Sequence, residues 1–186
     1  MKQSRTNSAR EEASADWGAA NVVSLLKRTC LVVLFGFCIG NTLAQTPAST
    51  VPDFTLFKLD GSSFTKRQMP RGRASLFSFF DVTCSHCQTT MQTLSKHHTE
   101  LKHLSVYLVS LDRKDAILKF LKKNGPQFLN KSNVIVLQDL NYEFIPKFQP
   151  IKYPSVFLYN KNQRLEAYEK DEKNMLKLVS KVGKLK

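Results

Sequence analysis

Two cysteines separated by two residues carry the most specific chemical signal in the sequence. Cys84 and Cys87 enclose Ser85 and His86, and side chains three residues apart on a helix share one face. That spacing allows a disulfide, whose Cα atoms lie about 4.4–6.8 Å apart. The pair predicts thiol-disulfide exchange, in which one thiolate attacks a partner disulfide and the second cysteine then resolves the mixed disulfide.

The cysteine pair follows a predicted strand and opens a predicted helix. Residues 74–80 form an apolar run of strand length, of the kind usually buried on both faces. Over residues 85–104 apolar positions recur on one side of a helix, at Met91, Leu94, Leu101 and Leu104. A helix N-terminus offers free N–H groups and partial positive charge, which stabilise a thiolate. We therefore expect Cys84 to be the nucleophile and Cys87 the resolving thiol.

His86 is the predicted tuning residue of this pair. An imidazolium beside the cysteines favours the thiolate, and a more stable thiolate makes the disulfide more oxidising. The other histidines, His97, His98 and His103, decorate a polar helix face, and we assign them no role.

Other uses of the pair stay open. A purely structural disulfide would close too small a loop to remove much chain entropy. A zinc or copper site needs about four ligands, and only histidines could complete it. A Cys/His hydrolase needs a histidine from a distant part of the fold, yet all four lie within residues 86–103. We predict no metal and no diffusible cofactor, only the redox-active Cys84–Cys87 disulfide.

The N-terminal segment has the pattern of an export signal. Lys27-Arg28 precede the apolar run of residues 30–40, which is shorter than the roughly 20 residues that span a membrane. Thr42-Leu43-Ala44 then resembles a cleavage site. We predict a signal peptide or uncleaved signal anchor over residues 1–44, which would also hold Cys30 and Cys38.

The rest of the chain is predicted to be a linker, residues 45–51, and one domain, residues 52–186. The net charge is +13, but the lysines are spread singly along predicted helix faces without interleaved aromatics, so we expect a solvated basic surface and no nucleic-acid partner. Export would place the cysteine pair where disulfides persist.

The predicted element order is β-β-β-α-β-α-β-α-β-β-α, which implies a mixed sheet flanked by helices. A hairpin around Asp60-Gly61 opens the domain. The later predicted strands are 105–111, 134–137, 155–159 and 164–168, and the later helices are 115–123, 141–148 and 172–182.

Several short motifs occur together in the order of a known family: Val51-Pro52-Asp53-Phe54, Leu59-Asp60-Gly61, Arg71-Gly72-Arg73, Phe79-Phe80, the cysteine pair, and Tyr153-Pro154-Ser155-Val156-Phe157. Together they resemble the TlpA-like thioredoxins, exported bacterial thiol-disulfide oxidoreductases of the redoxin, AhpC/TSA-related superfamily. The resemblance covers nearly all of residues 51–183. It implies an α/β thioredoxin fold, with an N-terminal β-hairpin and a TlpA-type inserted αβ unit over residues 115–137.

The resemblance also implies a substrate loop and a setting. In such proteins a cis-proline loop faces the cysteines and offers backbone groups to the bound segment, which points to Pro154 and makes Tyr153 a selector of partners. It implies protein dithiol or disulfide substrates, a redox partner protein and a periplasmic or other extracytoplasmic location. We expect a monomer that contacts a membrane only through an uncleaved N-terminal segment.

Three departures from the family bear on mechanism. Thr83 stands where Trp is usual, Tyr153 where Thr or Val is commoner, and Ser78 where thioredoxins carry a buried acid that helps deprotonate the second cysteine. The Ser-His dipeptide replaces Gly-Pro, and its His86 matches DsbA and protein disulfide isomerase. The family favours a reductase, whereas the dipeptide favours a more oxidising protein, so an oxidase or isomerase stays open beside it.

Related functions on the same fold fit less well. A peroxiredoxin pattern needs Thr and Pro where Asp81 and Phe77 stand. A Sco-type copper protein wants three residues between its cysteines and a later histidine. A non-catalytic or metal-binding module stays as the remaining alternative.

Overall fold

The computed structural model describes residues 46–183, and the predicted signal segment over residues 1–44 lies outside them. The strands are β1 Thr55–Lys58, β2 Ser63–Thr65, β3 Ser75–Phe79, β4 Ser105–Ser110, β5 Val134–Gln138, β6 Ser155–Tyr159 and β7 Leu165–Glu169. The α-helices are α1 Ser85–Lys96, α2 Lys114–Asn124, α3 Phe144–Phe148 and α4 Met175–Val182, with short 3-10 helices at Lys66–Gln68, Pro126–Phe128 and Glu172–Asn174. This order of strands and α-helices is the predicted one.

The seven strands form one mixed sheet in the order β2-β1-β5-β4-β3-β6-β7. β1 and β2 form the predicted opening hairpin. β3 runs parallel to β4 and antiparallel to β6, and all five of its residues are buried. The predicted α/β thioredoxin fold is confirmed, with the strand that leads into the cysteine pair near the middle of the sheet.

The sheet separates two hydrophobic cores because successive residues of a strand point to opposite faces. On one face Leu76 packs with Met91 of α1 and with apolar residues of α2 and α4. On the other face Phe77 lies in an aromatic cluster with Phe144 and Phe148 of α3, whose rings stack 4.1 Å apart. Full burial of each such side chain stabilises the fold by roughly 1.5–3 kcal/mol.

The helix that follows the cysteines is shorter than predicted. α1 ends at Lys96 instead of continuing to residue 104, although Leu101 and Leu104 are fully buried. They reach the core from turns, which Arg73 fixes by donating to the carbonyl oxygens of Lys102, His103 and Leu104 at 2.9–3.0 Å. The spacing of Leu101 and Leu104 along the sequence matches a helical period, but the two residues are buried from turns and not from a helix.

The segment predicted as a linker is fixed to the domain over its described part. Ala48 donates through N–H to the Phe148 carbonyl and accepts from the Tyr159 hydroxyl, both at 3.0 Å. Thr50 forms a β-bridge with Arg164, and Val51 is fully buried. The packed unit thus begins before residue 52. Among the described residues, no helix is both long and apolar enough to cross a membrane.

Candidate active site

The turn between β3 and α1 is held by two carboxylates. The Asp81 carboxylate accepts from the backbone N–H and the hydroxyl of Thr83 at 2.7 and 2.6 Å. Asp112, which follows β4, accepts from the Val82 N–H at 3.0 Å and from the Ser110 hydroxyl at 2.8 Å. Two adjacent parallel strands therefore fasten the loop that presents the cysteines, and sequence reasoning missed the role of Asp112.

Cys84 occupies the N-cap of α1. Its sulfur accepts a hydrogen bond from the backbone N–H of Cys87 at 3.3 Å, in the position where a helix has unpaired N–H donors. Cys84 is partly exposed, whereas Cys87 is 1% exposed, and both are free thiols. This places one sulfur within reach of a partner and the other directly behind it.

The environment of Cys87 keeps its thiol protonated. Burial raises the pKa of Cys87 above its usual range, the nearby Cys84 raises it further, and a hydrogen bond from the Asp81 backbone acts in the opposite direction. Because only the thiolate is nucleophilic, Cys87 must lose its proton before it can attack.

No buried acid lies where thioredoxins carry one. Ser78 occupies that position, is fully buried, and has no hydrogen-bond partner for its hydroxyl among the described residues. The hydroxyl of Thr90, one turn after Cys87 on α1, is likewise buried and unpaired within this part of the chain. Neither hydroxyl is a base at neutral pH.

His86 projects from the first turn of α1 toward the C-terminal part of the chain. Its Nδ1 lies 2.9 Å from a carboxylate oxygen of Glu172, in the 3-10 helix before α4. The His86 side chain is 64% exposed and that of Glu172 is 18% exposed. Nothing in the spacing of two residues 86 positions apart signals this contact, and sequence reasoning missed Glu172.

Tyr153 and Pro154 lie at the same end of the sheet as the cysteines. The bond between them is cis, and the Tyr153 ring packs on Phe79, the last residue of β3, with ring centres 4.8 Å apart. Burial raises the pKa of Tyr153 to about 12, and the negative charges of Asp81 and Asp112 add to the rise. The pairing of β3 with β6 puts this loop at the end of β3 from which the chain continues to the cysteine pair.

A chain of hydrogen bonds fixes the loop that carries this proline. The Tyr168 hydroxyl on β7 accepts from the Ile151 N–H at 2.9 Å and lies 2.6 Å from the Ser155 hydroxyl, which donates to the Lys152 carbonyl. Sequence reasoning identified Tyr168 only as the end of a strand. The structure makes it the support of the Tyr153–Pro154 loop.

The remaining histidines contact neither cysteine. His97 pairs with Glu100 at 3.0 Å, while His98 and His103 bond to the carbonyl oxygens of Ser95 and Val182. Within residues 46–183 no cluster of three or more histidine, cysteine or acidic side chains is arranged to hold a metal ion.

Comparison of the sequence with known proteins identifies a family. Residues 47–168 match the AhpC/TSA family. The chain belongs to the AhpC/TSA family. No curated protein matches the sequence.

Solved structures similar to this AhpC/TSA protein are thioredoxin-like. MTB dsbF is 17% identical with a TM-score of 0.61, covering 76% of this chain and 100% of its own. The thioredoxin domain of a thiol-disulfide oxidoreductase from Bacteroides vulgatus is 21% identical, with a TM-score of 0.57 and coverage of 73% and 96%. A secreted Mycobacterium tuberculosis disulfide oxidoreductase homologous to E. coli DsbE is 17% identical, with a TM-score of 0.58 and coverage of 71% and 96%.

These findings confirm the predicted family resemblance and fold. The AhpC/TSA match spans the opening hairpin, the cysteine pair and the Tyr153–Pro154 loop. The protein is thus an AhpC/TSA family member with paired thiols, and it shares the thioredoxin-like fold of these solved structures.

Proposed function

We propose that this protein exchanges disulfides with protein partners through Cys84 and Cys87. The observation that carries the proposal is the asymmetry of the pair: Cys84 is a partly exposed sulfur at the start of α1, hydrogen-bonded by the Cys87 N–H, and Cys87 is buried behind it. A partner disulfide can reach the first sulfur only, so attack and resolution fall to different residues.

The proposed exchange proceeds in two displacements. The Cys84 thiolate attacks one sulfur of a partner disulfide, breaking that bond and forming a mixed disulfide, and the departing sulfur takes up a proton. Cys87 then loses its proton and attacks Cys84, which breaks the mixed disulfide and releases the second partner thiol. Two electrons pass to the partner, and the protein is left with a Cys84–Cys87 disulfide.

Tyr153 and Pro154 are the proposed substrate loop. The loop lies at the carboxyl end of β3 beside the cysteines, packed on Phe79 and supported by Tyr168. A rigid loop there would present backbone groups to the extended segment around the partner's cysteine. The Tyr153 side chain would then add apolar contact area that discriminates among partners.

We infer that the protein works as a reductase in an extracytoplasmic space, reduced in turn by a redox partner protein. The predicted signal over residues 1–44 supports export, and one similar structure is that of a secreted disulfide oxidoreductase. An oxidase or isomerase is the second candidate, and the position of His86 between the cysteines favours it because a charged ring there would stabilise the thiolate.

A redox titration tests the function and its direction together. The full chain is equilibrated in glutathione buffers, alkylated, and analysed by mass on the peptide of residues 74–96, which holds both cysteines of the site. A midpoint below about −200 mV supports a reductase, and one near −120 mV supports an oxidase or isomerase. Absence of a Cys84–Cys87 disulfide at every buffer poise would overturn the proposal.

Trapping of partners provides the second test. Cys87→Ala removes the resolving thiol, so mixed disulfides on Cys84 should accumulate, whereas Cys84→Ala should capture none. Capture that depends on Cys87 instead would reverse the assigned roles.

A further inference from the structure

Two cavities lie beside the last turn of α1, at the end of the helix away from the cysteines. The larger, of about 480 Å³, is lined by residues of α1, α2 and the 3-10 helix Pro126–Phe128, and its volume is that of a typical small-molecule site. The smaller, of about 190 Å³, is lined by the turns after α1 and by the segment that leads into β5. His98 lines both, so the two cavities adjoin and together form one recess.

Buried polar side chains line the larger cavity. Ser95 and Asn124 are each 3% exposed. The Ser95 hydroxyl accepts from the Gln127 N–H at 3.3 Å, and the side-chain oxygen of Asn124 accepts from the Gln92 amide at 3.1 Å. These bonds join α1 to α2 and to the 3-10 helix after it. The polar lining is therefore held in place before any ligand binds.

Four exposed lysines from separate parts of the chain also line the recess. They are Lys96 and Lys123 in the larger cavity and Lys102 and Lys131 in the smaller. Within residues 46–183 no acidic side chain lines either cavity, and none of these lysines forms an ion pair. The neighbouring Glu100 carboxylate is occupied by His97 and by the Thr99 hydroxyl. The fold thus gathers lysines that the sequence spreads singly.

Helix ends account for only part of this positive charge. Lys96 and Lys123 lie in the last turns of α1 and α2, where a cation offsets the roughly half unit of negative charge at a helix C-terminus. The two helix ends together carry about one negative charge, against four lysines. Lys102 and Lys131 lie outside the α-helices. The recess therefore keeps a surplus of positive charge that a bound anion would neutralise.

We propose that this recess binds a small phosphorylated molecule. Lysine ammonium groups bind phosphate as point charges, and the exposed amide of Gln127 can donate to a phosphate oxygen. Phe128, the one aromatic residue that lines the recess in the described part of the chain, is 2% exposed, so it cannot stack on a nucleic-acid base. A concave recess encloses a compact anion, whereas a membrane presents a flat surface.

The site is separate from the cysteine pair. Roughly 17 Å of helix lies between Cys84 and Ser95, at 1.5 Å per residue. Binding in the recess can therefore be measured whether or not the protein exchanges disulfides, and failure of either proposal leaves the other intact.

Calorimetric titration of the full chain with sodium pyrophosphate tests the site. Ionic strength is held fixed, because salt screens exposed charges. We expect saturable binding that Lys96→Gln combined with Lys123→Gln weakens by about tenfold or more. Lys102→Gln combined with Lys131→Gln should weaken it by a similar factor. Thermal unfolding confirms that each variant is folded.

Lys114→Gln combined with Lys173→Gln is the matched control. It removes the same amount of charge from two exposed lysines that line neither cavity, and it should change Kd by less than about twofold. Equal weakening in this control would overturn the site, because it would reflect net charge alone. A loss confined to one of the two recess pairs would also overturn it, because the cavities would then not act as one site.

Two further probes separate a small phosphorylated ligand from macromolecular anions. The full chain is sedimented with phosphatidylglycerol vesicles and titrated with a poly-glutamate peptide. Binding to either probe without saturable binding of pyrophosphate at millimolar concentration would overturn the proposal in favour of a membrane surface or an acidic protein. Absence of binding to all three probes would overturn it outright.

Discussion

The backbone N–H of Cys87 donates to the sulfur of Cys84 across 3.3 Å. The residue that is to attack Cys84 in the proposed cycle thus already supports that sulfur through its main chain, while its own side chain is buried. The first turn of α1 thus provides a hydrogen bond to the Cys84 sulfur and keeps the Cys87 sulfur away from solvent.

The first prediction concerns the reactivity of the two thiols. In the reduced protein at pH 7, iodoacetamide should modify Cys84 about tenfold or more faster than Cys87, because Cys87 is buried and burial raises its pKa. Mass analysis of the peptide of residues 74–96 over time measures both rates. In guanidinium chloride the two rates should converge. Equal rates in the folded protein would contradict the assigned roles.

The second prediction is a loss of stability at alkaline pH. The raised pKa of Cys87 means that, above the usual thiol value of 9.0, the unfolded chain releases a proton that the folded chain retains. The free energy of unfolding of the reduced protein should therefore fall by up to about 1.4 kcal/mol per pH unit from pH 9 upward. Urea unfolding between pH 8 and 10 measures this slope.

Substitution of either cysteine separates the sources of that slope. Cys87→Ala should flatten it, while Cys84→Ala should retain it. The slope can be assigned to Cys87 only below about pH 10. Burial also raises the pKa values of Tyr107 and Tyr159, so above that pH these tyrosines lower the free energy of unfolding as well. A slope that survives in Cys87→Ala below pH 10 would assign the effect to another group.

The third prediction compares two fully buried serines on adjacent strands. The Ser78 hydroxyl has no hydrogen-bond partner within residues 46–183, whereas the Ser110 hydroxyl donates to Asp112 at 2.8 Å. Ser78→Ala should raise the free energy of unfolding by about 1 kcal/mol, and Ser110→Ala should lower it by about 1 kcal/mol. Urea unfolding at pH 7 measures both, and a destabilising Ser78→Ala would reveal a hidden partner.

The fourth prediction concerns the support of the substrate loop. Tyr168→Phe removes the hydroxyl that accepts from the Ile151 N–H, so amide hydrogen exchange at Ile151 should accelerate by about tenfold or more. Exchange followed by NMR gives the rate. Tyr142→Phe, at a tyrosine that is largely exposed, is the control and should leave it unchanged. Unchanged exchange in both variants would show that the loop is held by other contacts.

The fifth prediction addresses the turns after α1. Arg73→Lys should lower the free energy of unfolding by about 1–2 kcal/mol, because a single ammonium cannot reproduce the hydrogen bonds of a planar guanidinium that donates to three carbonyl oxygens. Arg71→Lys, at an exposed residue, should change it by less than about 0.5 kcal/mol. Similar effects of the two substitutions would argue against the structural role of Arg73.

Local signals were enough to predict the sheet and the position of the cysteine pair. The run that became β3 is mostly apolar and is buried throughout, and the pair opens the helix that follows it, so strand, turn and helix could be predicted in order. Helical spacing failed beyond Lys96 because Leu101 is buried from a turn that Arg73 holds, a long-range contact without a local signature.

The partners of the site residues could not be predicted for the same reason. Glu172 reaches His86, and Tyr168 supports Ile151, only because the β6–β7 hairpin and the segment after it fold back beside the start of α1 and the proline loop. Each contact joins residues whose types are ordinary at their own positions. Their significance arises from topology, which one sequence does not display.

The location of β3 within the sheet determines how the protein responds when a partner is covalently attached to Cys84. β4 and β6 flank this strand on its two sides over all five of its residues, and Cys84 is five residues beyond its end. A partner joined to Cys84 by a covalent bond pulls on the interior of the sheet, and the load is shared by two ladders of backbone hydrogen bonds. The backbone that carries the Cys84 sulfur is therefore held in place while bonds to that sulfur form and break.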